Sequence, residues 1–115
     1  MTDLTALYDE ADRLKDDGKH DEAVAKLRSI LEVDPDYTLA HMALAVLCGR
    51  MGQHEEAVKH SRRACELEPL EAFNFTALSV TYQRAFAGTR NQDYIRLAEE
   101  AMAQANVLQY RQPTR

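Results

Sequence analysis

Hydrophobic and polar positions follow a helical period along almost the whole chain. Leu4, Leu7, Ala11 and Leu14 recur at i, i+3, i+7 and i+10, which predicts a helix from about Asp3 to Asp17. Ala23, Leu27, Ile30 and Leu31 predict a second from about Asp21 to Val33, with Asp21 and Glu22 suiting its positive N-terminus. Pro35 ends it, and Asp36 can cap a third helix that runs to about Met51. This third helix holds the stretch LAHMALAVLCGRM (Leu39–Met51), apolar nearly all round and interrupted only by His41 before Gly49 and Arg50. Such a helix is buried or crosses a membrane. Thirteen residues are too few to cross, which takes roughly 20, so it belongs at the centre of the domain. Its core face is Ala40, Leu44, Leu47 and Cys48. The face Leu39, Met42, Val46 and Arg50 needs a different cover. Further helices are predicted over about Glu55–Leu67, Glu71–Ala87 and Gln92–Gln109. The fifth carries a stripe of Phe75, Leu78, Tyr82 and Phe86. The sixth carries Tyr94, Leu97, Ala98, Ala101, Ala105 and Leu108, with Ile95 and Met102 beside them.

The chain also repeats itself. Gly18–Pro35 (GKHDEAVAKLRSILEVDP) aligns with Gly52–Pro69 (GQHEEAVKHSRRACELEP) with eight of eighteen positions identical. Gly18 and Gly52, Ala23 and Ala57, and Pro35 and Pro69 are each 34 residues apart. A 34-residue period with this content resembles the tetratricopeptide repeat, a helix–turn–helix unit. In that resemblance Ala23 and Ala57 are the small residue early in the second helix. Ile30 and Ala64 are its later small or apolar position, Pro35 and Pro69 close the unit, and Gly18 and Gly52 take the positive φ of the turn. Ala11, Ala45 and Ser79 stand where the family usually has a glycine on the first helix, and they are still small enough for close helix packing. A third unit departs from the pattern. Ala98 follows Ala57 by 41 residues, so seven extra residues are expected in the turn AFAGTRNQD, and Tyr110 replaces the closing proline. The resemblance implies one all-α domain over 1–115, a right-handed superhelix of three antiparallel helix pairs. Its units cover about 4–37, 38–71 and 72–112.

One domain also suits the length of 115 residues. The net charge of −5 argues against a nucleic-acid binder, which needs a basic footprint. That charge is uneven: −5 over Met1–Pro35, −1 over Asp36–Pro69 and +1 over Leu70–Arg115. No transmembrane stretch and no signal-peptide pattern stand out, and Cys48 and Cys65 fall at apolar helical positions. A reduced, cytoplasmic protein with no membrane partner is expected. No phosphate-cradling loop, dinucleotide glycine run or G-x-S-x-G elbow is present, so no enzyme and no cofactor are expected. His54 and His60 are six apart, not the four that a zinc helix requires, and no metal site is expected. The acidic run Asp9, Glu10, Asp12, Asp16 and Asp17 reads as a solvated helix face. The sequon at Asn74 lies inside a predicted helix and is discounted.

The family's binding surface is the concave wall formed by the first helix of each unit. Carried over by position, this gives a groove of Tyr8, Asp9, Asp12, Leu39, Met42, Val46, Arg50, Phe73, Thr76, Ala77, Val80 and Arg84. Its middle is apolar, one wall is acidic and one end carries two arginines. The family's carboxylate clamp for chaperone C-termini would fall on Tyr8, Asp12, Ala43, Phe73 and Ala77. None of these supplies the required base or amide, so a clamp is not expected. The resemblance therefore implies a non-enzymatic adaptor or scaffold whose partner is another protein or peptide, bound as a helix or an extended strand. The second reading is a self-assembling structural protein, a homodimer for instance, using the groove or the uncapped last helix at Leu97, Ala101, Met102 and Leu108. Few residues of the chain remain to cover either surface from within.

Overall fold

The computed structural model describes residues 3–111, which form six helices and no strand: α1 (Leu4–Asp16), α2 (His20–Val33), α3 (Thr38–Arg50), α4 (His54–Leu67), α5 (Ala72–Thr89) and α6 (Asp93–Arg111). Successive helices pack on one another in chain order, giving three helix pairs stacked as an all-α solenoid. The last residue expected in the third unit, Gln112, lies outside the described residues. No helix of the described chain is long and apolar enough to cross a membrane.

The local signals act largely where the sequence places them. Asp3 caps α1, its carboxylate accepting from the Ala6 N–H at 3.1 Å. Gly18 and Gly52 take φ of 77° and 78°, the left-handed backbone that lets α1 and α3 stop and the chain reverse within three residues. Asp36 is not the cap of α3. Tyr37 holds that position without a side-chain bond, and the Asp36 carboxylate accepts instead from Arg63 on α4 at 3.1 Å.

The third turn corrects the expected position of the insertion. It is as short as the others, Arg90–Gln92, and Arg90 adopts the left-handed conformation at φ 62° where a glycine was used before. The extra residues lengthen the helices: α5 has 18 residues against 13 in α1 and α3, and Ala98 is the sixth residue of α6 where Ala57 is the fourth of α4. The added turn of α5 passes over the start of α4. A Cβ on Gly88 would overlap the His54 imidazole, so glycine is what allows that approach. Ser79 plays the corresponding part against α6, its hydroxyl donating to the Ala98 carbonyl at 2.8 Å.

The core runs as two clusters along the stack. Ala11, Ala23, Leu27, Ile30, Ala40, Leu44 and Leu47 close the first half. Val58, Cys65, Leu78, Tyr82, Ala85, Ala98 and Ala101 close the second. All four expected core residues of α3 are fully buried, and each buried leucine is worth roughly 1.5–3 kcal/mol against solvent. Both cysteines are buried and unpaired; burial pushes the Cys65 thiol up to about 11, and it donates to the Asn74 carbonyl at 3.3 Å. Asn74 is itself buried, which removes the sequon from solvent.

His41, the one polar interruption of the central helix, ties α3 to the α2–α3 loop and to α4. Its Nε2 lies 2.7 Å from the Pro35 carbonyl, which can only accept, so that nitrogen carries the proton. Its Nδ1 is then bare in the neutral ring, and the His60 Nδ1–H on α4 donates to it across 3.0 Å. The remaining His60 nitrogen faces Glu56 at 3.8 Å. Burial lowers the His60 pKa first and His41 lowers it further. Arg28 and Lys59 add to this, while Glu56 opposes it. The unfolded chain therefore binds a proton near pH 6.5 that the folded chain resists, and stability falls as pH falls through that value. We expect the melting midpoint to drop between pH 7.5 and 5.5, above the range where an ordinary glutamate titrates, and His60→Gln to flatten that drop. Equal slopes for wild type and variant would contradict a lowered His60 pKa.

Candidate ligand groove

The second face of α3 is where the fold leaves apolar surface open. Leu39 is 51 % exposed, Met42 and Val46 are half-buried, and Arg50 is exposed. Across from them α5 presents Phe73, 65 % exposed, with Thr76 and Ala77 half-buried and Val80 and Arg84 exposed. The spacing of both sets follows from the helix period: the core claims 40, 44, 47 and 48 on α3, so 39, 42 and 46 turn away. The two faces enclose two adjoining depressions of about 390 and 280 Å³ that share Met42, Val46, Phe73 and Asn74. Nine of the twelve residues expected from the sequence line these hollows.

The other three lie elsewhere. Asp9 and Arg50 are exposed but line neither depression, and Asp12 lines only a small hollow beneath them, beside Tyr8 and Ala43. The acidic wall is also partly neutralised. The Lys15 ammonium sits 3.0 Å from the Asp12 carboxylate, and that hydrogen bond raises the lysine pKa. Beside the pair, burial followed by the Asp12 charge raises the Tyr8 pKa, so the phenol stays protonated and can donate. Lys15 and Glu68 enter the lining without having been singled out in the sequence. The signal for Lys15 was present: it follows Asp12 by three residues on the same helix face. Asn74 was hidden, because an asparagine in the first turn of a helix reads as solvated. Here its amide donates to the Ala64 carbonyl at 3.4 Å and forms part of the groove floor.

The expected oligomer face on α6 is corrected in the same way. Ala101 and Leu108 are buried and Leu97 is partly buried against the second core cluster, all of it inside the chain. Helix packing within the third pair uses that stripe. Met102 alone of the four lines an outward slot, with Ile95, Phe86 and Tyr94.

Among the described residues, no group of three or more His, Cys, Asp or Glu side chains is placed to hold a metal ion. What the groove offers is apolar burial, with one phenol, a lysine and a glutamate in one hollow and an arginine in the other.

The family model for the tetratricopeptide repeat matches residues 14–64. No curated protein sequence matches the chain. Solved structures do. The type III secretion translocator chaperone SycD of Yersinia enterocolitica superposes with a TM-score of 0.78 at 17% identity, over 96% of this chain and 78% of that one. MamA gives 0.80 at 15% identity, over 95% and 60%. YrrB, described as a TPR protein with an unusual peptide-binding site, gives 0.76 at 21% identity, over 96% and 54%. The chain spans only about half to four-fifths of the length of these structures.

Proposed function

Because this chain is a tetratricopeptide-repeat protein, we propose that it is a non-enzymatic interaction module that holds a short segment of another protein in the groove between α3 and α5. The observation that carries this reading is the exposure of Phe73 and Leu39 beside Met42 and Val46 in one continuous hollow. Large apolar side chains clustered in a concavity mark binding surfaces more often than they mark idle surface. The segment presents two or three apolar residues, either one face of a helix or alternate positions of an extended strand. An acidic residue near Arg84 sets its direction, and a polar acceptor meets the Tyr8 phenol. Charge at the rim contributes mainly to the rate of encounter, so raised salt slows association more than it hastens release. YrrB, whose description names a peptide-binding site, shares the fold and lends this reading support.

The test is selection from a displayed peptide library on the wild-type chain, followed by titration of the selected peptides. Apolar-anchored peptides whose binding is lost when Phe73 becomes glutamate are the expected result. Peptides that bind wild type and Phe73→Glu equally, or a selection that yields nothing above background, would count against the groove.

A further inference from the structure

The internal repeat says what belongs in the outward slot between α5 and α6, a hollow of about 480 Å³ at the C-terminal end of the stack. With Ala98 in the place of Ala57, the slot residues Ile95, Glu99 and Met102 correspond to His54, Val58 and Ser61 of α4. In the second unit those three positions are covered by α5. Gly88 lies over His54, Val58 shares a buried cluster with Leu78, Tyr82 and Ala85, and Thr81 bonds Ser61 at 3.4 Å. In the third unit nothing among the described residues covers them, and Ile95 is 42 % exposed. The geometry points to this slot as the seat of one amphipathic helix from a partner protein, packed as α5 packs on α4. It is a site separate from the groove. The helix presents apolar or small residues at i, i+4 and i+7, as Leu78, Tyr82 and Ala85 do in α5. It also carries a lysine or arginine against Glu99, the one charged residue of the lining, which stands where α4 has Val58.

Two copies of this chain do not satisfy the slot. The positions of the first unit that correspond to Leu78, Tyr82 and Ala85, 68 residues earlier, are Glu10, Leu14 and Asp17. Glu10 is paired with Lys26 at 3.2 Å, Leu14 is partly buried against the first core cluster and Asp17 is exposed, so α1 offers no apolar face to a neighbouring copy. Pairing slot to slot brings Glu99 of one copy towards Glu99 of the other, a like-charge contact that disfavours the match.

The probe is a fluorescein-labelled synthetic peptide of the α5 sequence, residues 71–90, titrated with the whole protein and followed by anisotropy. Saturable binding is expected, weakened at least tenfold by Ile95→Glu and strengthened by Glu99→Val, which restores the residue that α4 sets against α5. Both positions are exposed, so the variants should melt as wild type; if Ile95→Glu melts lower, Glu99→Val carries the comparison. Absence of saturable binding would overturn the proposal. So would binding that neither substitution changes, because the peptide would then sit elsewhere. Light scattering on the protein alone supplies the remaining outcome: a wild-type dimer that Ile95→Glu converts to a monomer would replace the partner helix with a second copy.

Discussion

Leu44→Ala is expected to cost the fold about 2–5 kcal/mol, the range for removing a leucine side chain from a site that cannot collapse around the cavity. Leu44 has no exposed surface, and it shares its cluster with residues of α1 and α2. At roughly 4–8 °C per kcal/mol for a domain of about this size, the melting midpoint should fall by about 10 °C or more. The matched control is Leu39→Ala, the same truncation on the same helix at a half-exposed position, which should stay within about 1 kcal/mol. Chemical denaturation of the pair measures the difference directly. Equal losses would mean that α3 does not have one face in the core and the other open.

Val46→Asp should do the opposite: leave folding nearly intact and remove binding. Val46 lines both hollows of the groove, and its buried share lies against other groove residues, outside both core clusters. Covering such a side chain with a ligand stabilises the complex by roughly 1.5–3 kcal/mol. A carboxylate at that position forfeits this gain and is itself desolvated by the ligand. Affinity for any groove peptide should fall by more than about tenfold, since every 1.4 kcal/mol is a factor of ten. Titration with a selected peptide, paired with a thermal melt of the same sample, separates the two effects. If the variant unfolds, Val46 belongs to the core and the groove reading of α3 fails with it.

The fold was legible because its determinants are local. Gly18 and Gly52 recur at 34 because a left-handed backbone is needed twice at the same point of the same turn, and the structure gives them nearly equal φ. Ala23 and Ala57 recur because both lie with no room for a larger side chain at a helix contact. The open face of α3 followed from the same counting. Legibility ended where two helices meet. Asp36 has the chemistry of a cap, but the choice between capping α3 and accepting from Arg63 depends on where α4 lies. The residues AFAGTRNQD suggest a loop through their glycine and polar content. Nothing in them forbids helix, and packing over His54 decided in favour of it. The stripe on α6 was visible, but which of its residues α5 would claim was not. The His41–His60 contact joins positions 19 apart on different helices and has no one-dimensional signature.

The longer third pair has a consequence for how the molecule comes apart. Helices of about 12–15 residues hardly persist alone in water, whereas longer ones carry more of their own cohesion. Among the described residues α1 has 13 residues and packs chiefly on α2, while α5 and α6 have 18 and 19 and clasp each other along most of their length. In an array where each unit leans on the next, α1 is then cheaper to open than the α5–α6 pair. Fraying of α1 carries Tyr8 and Lys15 away from one end of the groove and leaves the wall formed by α5 in place. The molecule thus has a soft end and a firm end, and a bound segment that reaches Tyr8 would act as the clasp that holds the soft end shut.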